Sequence, residues 1–417
     1  MPDAGSSKSM MPTAPLKNPW LMPLAVAALI SIGLVMVASA SISNAAESYG
    51  NPWHYLTRHC IYLVLALCGM AVVAMIPMDI WQRLSWPLLL FAILLLVAVL
   101  VPGLGRRVNG ALRWIAVGPF SVQPAEVAKF CVIVFFASFL TRRYAQIRHW
   151  GSFLIPFVLL GIVAVLLLAE PDFGSVVVIS LTVMAMVFLA GARLPHTFVL
   201  VMLALGALVA IAIASPYRLE RLSTFMDPWA AKFSGGYQLT QSLIAFGQGE
   251  WAGVGLGNSV QKLLYLPEAH TDFVFAVLSE EWGLAGGLAV IALFVVLIQQ
   301  MLKLVSAALL HKRFFDAMVV FGVAVLFAGQ AFINMGVASG LLPTKGLTLP
   351  FVSFGGSSLI VCSALFALVL RVQYELARGP VQQASAKKDG PVLRTSKRAA
   401  NSSKSRVKDD ALQEVAA

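Results

Sequence analysis

Charged residues are scarce in this sequence: Asp, Glu, Lys and Arg make up 12% of its 417 residues, whereas hydrophobic residues make up 59%. A soluble domain of this composition would aggregate. The sequence also lacks the alternating ten-residue pattern of an outer-membrane barrel, whereas apolar runs of about 20 residues recur along it. These observations predict an all-α, polytopic integral membrane protein.

Cysteines are few and nucleotide-binding motifs are missing. The four cysteines all fall inside apolar runs without metal-ligand spacing, which favours small buried residues over disulfides and makes redox chemistry unexpected. A glycine-rich stretch at 247–257 lacks the Lys-Ser/Thr pair of a P-loop and the strand that precedes a dinucleotide turn. We interpret it as a flexible connection, or as a segment that an anion or a sugar chain could approach closely.

The net charge of +11 is partly a property of the C-terminus, where residues 371–417 hold ten Lys or Arg against five Asp or Glu. Such a segment is typical of a disordered cytoplasmic tail beside an anionic leaflet, so nucleic acid need not be the partner. Residues 1–20 form a shorter tail without the features of a cleaved signal peptide. The predicted organisation is a tail at 1–20, a membrane domain at 21–377 and a basic tail at 378–417.

Ten apolar runs are long enough to cross a bilayer, and an even number places both termini on one side. The short loops on that side carry Arg142, Arg143, Arg148, Arg193 and Lys312, so the positive-inside rule makes it cytoplasmic. The longest loop on the other side, residues 216–271, is therefore predicted to be periplasmic and to join spans seven and eight. The predicted spans are 21–43, 59–77, 86–103, 126–141, 152–169, 174–191, 197–215, 272–300, 316–338 and 357–377.

Two predicted periplasmic segments, 104–125 and 216–271, carry more cations than the positive-inside tendency allows. Long loops cross the membrane regardless of charge, which is one explanation. The other is that these cations meet an anionic, phosphate-bearing ligand at the outer surface. The cations are Arg106, Arg107, Arg113, Arg218, Arg221, Lys232 and Lys262.

The strongest chemical signal is a cluster of three ionisable residues, Glu268, His270 and Asp272, at the start of span eight. Asp272 could simply cap the helix. At a lipid–water boundary it could also accept a proton from a hydroxyl if desolvation raises its pKa. His270 could tune that aspartate, bind a phosphate oxygen or be an interfacial polar residue. Helical geometry places Glu280, rather than Glu281, nearer the face of Asp272.

Two other stretches, the start of the predicted span at 126–141 and the segment at 340–356, contain candidate charges. Glu126 and Lys129 have the spacing of a simple i,i+3 ion pair, but Lys129 points into a span, where a cation usually has a function. The Gly- and Pro-containing segment at 340–356 is predicted to be a re-entrant loop surrounded by protein, with Lys345 as its one charge.

Together these segments resemble the SEDS family of bacterial cell-wall proteins, over nearly the whole ten-span region. The most specific stretch is 236–283, where Gly-Tyr-Gln-Leu, Gly-Asn-Ser-Val-Gln-Lys and Leu-Pro-Glu-Ala-His-Thr-Asp-Phe-Val-Phe occur in order. The motifs Val-Asn-Gly at 108–110, Gln-Pro-Ala-Glu at 123–126, Pro-Asp-Phe-Gly-Ser at 171–175 and Leu-Pro-Thr-Lys-Gly-Leu at 342–347 are also similar to family motifs. The stretch from Tyr237 favours the division branch over the elongation branch. Ser121 and Phe354 depart from a basic residue and a tyrosine that are common in relatives.

The resemblance implies a peptidoglycan glycosyltransferase that polymerises lipid II during cell division, in the inner membrane at the division septum, with a periplasmic active face. Asp272 matches the family's essential aspartate and would be the base. A divalent cation, Mg²⁺ or Mn²⁺, is expected beside the leaving pyrophosphate, with no organic cofactor. The expected partners are a class B penicillin-binding protein and other division proteins. The substrate-binding candidates are Arg113, Glu126, Lys129, Glu268, His270, Glu280 and Lys345.

Two other functions stay open from the sequence: a flippase for lipid II and a non-catalytic scaffold. A flippase path would be lined by charges within spans, such as Lys129 and Glu280. The ionisable residues cluster at the outer ends of spans, whereas a flippase should carry comparable charge at its cytoplasmic mouth. This distribution favours chemistry at the outer face.

Overall fold

The computed structural model describes residues 18–108, 111–118, 120–143, 150–192, 224–343 and 346–388, with isolated positions between 195 and 206. The chain divides into two compact units, Met1–Gln373 and Tyr374–Ala417. The helices are α1 (Leu21–Tyr49), α2 (His54–Met75), α3 (Met78–Arg83), α4 (Ser85–Leu100), α5 (Pro124–Arg142), α6 (Trp150–Ala169), α7 (Phe173–Leu189), α8 (Tyr237–Gly249), α9 (Val274–Leu310), α10 (Phe314–Ala338) and α11 (Gly356–Lys388). The strands are β1 (Gly105–Val108), β2 (Ala111–Val117) and β3 (Phe120–Val122).

Nine of the ten predicted spans correspond to these helices, and the predicted helical membrane fold is confirmed. Six helices, α1, α2, α5, α9, α10 and α11, are long and apolar enough to cross a membrane, and α4, α6 and α7 are shorter apolar helices. The predicted span at 197–215 lies outside the continuously described residues, as does the tail from 389 onward. Residues 378–388, predicted to belong to a disordered tail, are instead the end of α11.

Helix α5 lies in the interior of the bundle and α2 lies at its edge. In the most apolar window of each helix, 89% of the α5 residues are buried, against 17% for α2. Helix α5 packs against α4, α7 and α10. Both helices are mostly apolar, since an interior helix is surrounded by other apolar side chains and a surface that faces lipid needs no polar residues. Hydropathy therefore locates the spans without showing which of them is central.

The outer segment at 104–125 departs from the all-helical prediction, because it folds into a three-stranded antiparallel sheet in the order β1-β2-β3. Arg106 and Arg107 of β1 pair with Trp114 and Leu112, so the residue skipped in β2 is the extra residue of a β-bulge in that strand. Both arginines are exposed on the edge strand β1, where charge discourages further strand pairing. The sheet places Arg113 in β2, and β3 leads through Gln123 directly into α5.

The predicted re-entrant segment is confirmed between α10 and α11. Phe351 and Val352 are buried, and their main chain touches Gly33, near the middle of α1. A Cβ on Gly33 would lie 2.6 Å from the Phe351 carbonyl oxygen, so only glycine allows this approach. The Phe351 ring also packs 5.2 Å from that of Phe327 in α10. Protein therefore surrounds this non-helical backbone at membrane depth.

The glycine-rich stretch is packed against a break in α9, so the prediction of a flexible connection is wrong. At Gly283, φ is +66° and ψ is −166°, which interrupts the helix. Four main-chain hydrogen bonds join residues 250–255 to residues 280–285 and satisfy groups that the break leaves unpaired. The N–H groups of Val254 and Gly255 donate to the carbonyls of Glu280 and Glu281, each at 3.0 Å. In the other direction, the N–H of Leu284 donates to the Glu250 carbonyl at 2.9 Å, and that of Ala285 donates to the Trp251 carbonyl at 3.3 Å.

Gly253 and Gly257 provide a matched test of this packing, because their φ values are similar at +82° and +84°. A Cβ at Gly253 would lie 2.2 Å from the Glu281 carbonyl oxygen, whereas one at Gly257 would meet nothing within 4 Å. Both alanine substitutions carry the strain of a positive φ. We expect Gly253→Ala to destabilise the protein by about 1–3 kcal/mol more than Gly257→Ala, because it adds a steric clash. Thermal unfolding in detergent measures this difference, and equal destabilisation would contradict the close packing.

Candidate active site

Asp272 lies in a tight turn that immediately precedes α9. The Thr271 hydroxyl donates to Glu268 Oε2 at 2.7 Å, and the Phe273 N–H donates to the Glu268 carbonyl at 3.3 Å. Glu268 itself has a φ of +56°. The N-cap of α9 is Phe273, without a side-chain capping bond, so the alternative that Asp272 caps this helix is wrong. The Glu268 side chain is thus used to shape the turn that presents Asp272.

The turn is fixed to the re-entrant segment by the side chain of Asn334 in α10. Asn334 Nδ2 donates to the Asp272 carbonyl at 2.8 Å and to the Leu347 carbonyl at 2.6 Å. The Asp272 carboxylate faces Gly346, where an added Cβ would lie 3.0 Å from Oδ2. Within the described part of the chain, no group donates a hydrogen bond to this carboxylate. The main-chain contacts of Asp272 therefore set the position of its carboxylate, and the carboxylate oxygens can accept a hydrogen bond from a bound molecule.

Burial raises the pKa of Asp272 to about 7, and the negative charges of Glu268 and Asp172 contribute in the same direction. The positive charge of Arg113 opposes these effects and lowers the pKa. A carboxyl group with a pKa near 7 exchanges its proton readily at neutral pH, which is the property that a general base requires. A role for Asp272 as the base stays a prediction.

Arg113 reaches from β2 to the turn between α6 and α7. Its Nε donates to the Glu170 carbonyl at 3.2 Å, and its Nη2 donates to the Pro171 carbonyl. Arg113 also lowers the pKa of both Glu170 and Asp272, so its positive charge acts on both carboxyl groups. Arg113 and Asp272, which are 159 positions apart in the sequence, therefore interact electrostatically in the folded chain.

Glu170 and Asp172 were not identified as site residues from the sequence. Glu170 is fully buried, and neither of its carboxyl oxygens has a hydrogen-bond partner among the described residues. Burial, reinforced by the charge of Asp172, raises the pKa of Glu170 to about 8. Asp172 caps α7, accepting from the Ser175 N–H at 3.2 Å and the Ser175 hydroxyl at 2.7 Å. The sequence did contain a signal for them, because the predicted link between spans at 170–173 has two acids among its four residues.

His270 belongs to an aromatic cluster that joins the Asp272 turn to α2. Its ring lies 4.4 Å from that of Tyr55 and 5.5 Å from that of Phe354, and Phe354 also approaches His59 at 5.9 Å. Burial lowers the pKa of His270, which favours the neutral ring. The structure therefore supports a packing role more strongly than an electrostatic contact to a phosphate. Phe354 contributes its ring to the same cluster.

Glu126 and Lys129 form a buried ion pair, with Lys129 Nζ 2.7 Å from Glu126 Oε1. The Lys129 side chain has no exposed surface, and Glu126 is also buried. The prediction that Lys129 faces a phosphate is therefore not met in this structure, because the ammonium group is enclosed within the bundle. Removing either partner would leave a buried charge unpaired.

Glu280 and Glu281 both anchor the outer loop, which corrects the prediction of Glu280 as a substrate ligand. Glu280 is fully buried and accepts from the Ser259 hydroxyl at 2.6 Å and the Val260 N–H at 2.8 Å. Glu281 Oε1 pairs with Lys262 Nζ at 2.8 Å. Lys262 is therefore an internal cation rather than a ligand of an external anion. Membrane burial explains these pairings, since an unpaired charge at this depth would be costly.

The remaining candidate groups receive less support. Lys345, Arg218 and Arg221 lie outside the described residues. In the ranges that the structure describes, no three His, Cys, Asp or Glu side chains are arranged to hold a metal ion. A metal site built from protein ligands alone therefore does not fit these residues.

Comparisons with known proteins agree over most of the chain. A family model described as Cell cycle protein, named for FtsW, RodA and SpoVE, matches residues 19–378. A Saccharophagus degradans protein named "Probable peptidoglycan glycosyltransferase FtsW" is 53% identical over 354 residues, which cover 85% of this chain and 92% of that protein. A Pseudomonas fluorescens protein of the same name is 51% identical over 349 residues, with 84% and 86% covered.

Two solved structures share the fold. One is described as showing structural coordination of polymerization and crosslinking by a peptidoglycan synthase complex, with 31% identity and a TM-score of 0.71 over 87% of this chain and 100% of that one. The other is the crystal structure of the rod shape determining protein RodA of Thermus thermophilus, with 29% identity and a TM-score of 0.64 over 86% and 98%.

The raised pKa of Asp272 predicts a stability gain from Asp272→Asn that depends on pH. Folding must hold a carboxylate in a desolvated site at pH 8, whereas the protonated group is accepted at lower pH. Because the folded pKa of about 7 lies above the ordinary aspartate value of 3.8, the destabilisation by the wild-type side chain is full above pH 7 and fades toward pH 4. We expect the melting temperature of the variant to exceed that of the wild type by about 2–4 °C at pH 8, which is the shift that ~1 kcal/mol produces in a large domain. At pH 5.5 the difference should be smaller.

Thermal unfolding in detergent at both pH values measures this effect. Glu47→Gln is the control, because Glu47 is an exposed acid at the end of α1 on the same side of the membrane domain. A variant of Asp272 that melts at the wild-type temperature at both pH values would contradict the desolvation of this carboxylate.

Proposed function

The chain belongs to the FtsW, RodA and SpoVE family of cell cycle proteins, and from this premise we propose that it is a peptidoglycan glycosyltransferase that polymerises lipid II. The observation that carries this proposal is a desolvated aspartate, Asp272, held beside the cation Arg113 at one end of the bundle. Relatives named peptidoglycan glycosyltransferase cover most of the chain. The relatives' names also support the division branch.

In the proposed reaction, Asp272 accepts the proton of the acceptor sugar hydroxyl as its oxygen attacks the anomeric carbon of the donor. The new glycosidic bond forms while the bond from that carbon to the pyrophosphate oxygen breaks. The lipid pyrophosphate leaves with the bonding electron pair, and the proton remains on Asp272 until it passes to water. One carboxylate is sufficient, because pyrophosphate is a good leaving group and needs no protonation. This differs from glycoside hydrolysis, in which two carboxyl groups act.

Arg113 is the cation best placed to stabilise the leaving pyrophosphate. Its guanidinium is fixed by the carbonyls of residues 170 and 171, so it needs little reorganisation when negative charge develops. Lys129 acts instead as a buried positioning residue, because its partner is Glu126 and it has no exposed surface. Glu268 serves the reaction by shaping the turn and by raising the pKa of Asp272.

The divalent cation expected from the resemblance has no protein-only site among the described residues. No step of the proposed reaction is assigned to it. Mg²⁺ is often held by one or two carboxylates together with substrate phosphates, so a requirement for Mg²⁺ or Mn²⁺ stays a prediction about the complex with substrate.

The proposed setting is the inner membrane at the division septum, with Asp272 on the periplasmic side. The solved peptidoglycan synthase complex is described as coordinating polymerization with crosslinking. By analogy, we propose a cross-linking partner for this chain, a class B penicillin-binding protein, together with other division proteins. The partner would join peptides on strands that this chain makes.

If Asp272 is the base, Asp272→Asn should lower the rate of glycan synthesis by about 100- to 10,000-fold, because an amide cannot accept the proton. The wild-type rate should rise as the pH increases through about 7, since the carboxylate is the active form. Purified protein with its partner, lipid II and Mg²⁺ or Mn²⁺ provides the assay, and glycan length on a gel provides the readout. Glu47→Gln should retain the wild-type rate.

The same assay separates the competing functions. Glycan synthesis by Asp272→Asn at the wild-type rate would exclude Asp272 as the base. If the wild-type chain makes no glycan but moves lipid II across vesicles, the flippase interpretation is correct. If it does neither, and glycan appears only from an added polymerase, the chain is a scaffold.

A further inference from the structure

A polar cavity lies at the end of the bundle opposite Asp272. It has a volume of about 170 Å³ and is formed where α4 begins and α5 ends. Asp272 precedes α9 at the same side as the start of α5, so the full length of α5 separates the two sites. The cavity is therefore distinct from the candidate active site, and the proposed glycosyltransferase reaction does not use it.

Two arginines line this cavity, and no acidic side chain is among its lining residues. Arg142 is the last residue of α5, and its Nη2 donates to the Gln82 carbonyl at 3.1 Å. Arg143 follows it, with its guanidinium 5.2 Å from the centre of the Phe139 ring. Neither contact neutralises the charge of an arginine. Because Arg142 and Trp86 are exposed, the cavity is consequently a partly open electropositive site between two helices.

Hydroxyl groups and aromatic rings complete the lining. Ser85 and Ser138 are both buried, and the Ser85 hydroxyl donates to Ser138 Oγ at 3.1 Å, while Ser138 donates to the Gln82 carbonyl at 3.3 Å. Trp86 packs edge-on against Phe135, with ring centres 4.9 Å apart, and 53% of its surface is exposed. A tryptophan with an apolar side and an exposed edge is typical of the membrane interface.

The surface beside the cavity faces lipid. Along α4, the side chains that follow Trp86 are apolar and exposed: Leu90 is 58%, Phe91 50% and Leu94 58% exposed. A ligand whose polar group entered the cavity could therefore extend apolar chains along α4. Inorganic phosphate would make no use of this continuous apolar surface.

We propose that this cavity binds the phosphate group of an anionic phospholipid from the adjacent leaflet. The two guanidinium groups supply charge-assisted hydrogen bonds to the phosphate oxygens, and the aromatic walls contact the glycerol region. Basic pockets between spanning helices at the membrane interface suit such headgroups. A purely topological role for Arg142 and Arg143, as expected from the positive-inside rule, would require neither a cavity nor a preference for any lipid.

Lipid binding to the full-length protein can be measured by native mass spectrometry and by thermal stabilisation. The probes are phosphatidylglycerol and phosphatidylethanolamine with identical acyl chains, inorganic phosphate, and a polyprenyl pyrophosphate. The double variant Arg142→Gln, Arg143→Gln tests the site. The charge-matched control is Arg83→Gln, Lys303→Gln, since both residues are exposed near the same end of the bundle and neither lines the cavity.

We expect the wild-type chain to prefer phosphatidylglycerol to phosphatidylethanolamine, and the Arg142, Arg143 double variant to bind phosphatidylglycerol at least about tenfold more weakly. The control should bind as the wild type does, and millimolar phosphate should not displace the lipid. Ser138→Ala, which leaves both charges, should weaken binding less. Equal loss in the control, equal binding of both lipids, displacement by phosphate, or tighter binding of the polyprenyl pyrophosphate at this site would overturn the proposal.

Discussion

One side-chain amide, Asn334 Nδ2, connects the two segments on which the candidate site depends. It donates to the carbonyl of Asp272 in the turn before α9 and to the carbonyl of Leu347 in the re-entrant segment. Both segments are non-helical at or near membrane depth, where main-chain carbonyls without partners are costly. Asn334 is itself buried in α10, so these bonds are shielded from water. The position of the Asp272 carboxylate, and hence its desolvation, follows from this arrangement.

The other buried charges of the bundle stabilise the architecture around that site. Lys129 pairs with Glu126 inside α5, and Lys262 pairs with Glu281 at the break in α9. Glu280 accepts hydrogen bonds from the outer loop. Because a charge buried without a partner is unfavourable, these residues cannot also serve as free ligands without rearrangement. Asp272 differs from them, since no donor in the described ranges occupies its carboxylate.

The sequence predicted those features that depend on hydropathy and on local motifs. The start of α1 at Leu21 and the re-entrant segment fall in this class, and a local motif singled out Asp272 as a candidate. Contacts between distant segments could not be predicted. The sheet that carries Arg113 has short, weakly alternating strands, and the hydrogen bond from Arg113 to the Glu170 carbonyl forms only when the folded bundle brings that turn close to the sheet. The glycine-rich stretch was misinterpreted because glycine permits both flexibility and close packing, and only the neighbouring backbone at Gly283 distinguishes them.

In the proposed reaction, Asp272 is a desolvated carboxyl group that exchanges a proton near neutral pH. Infrared difference spectra of the wild type and Asp272→Asn in lipid membranes, recorded as the pH is varied, would measure its ionisation directly. We expect a carboxylic-acid C=O band that is lost with a midpoint near pH 7 and is missing from the variant. A group that stays ionised down to pH 5 would contradict it.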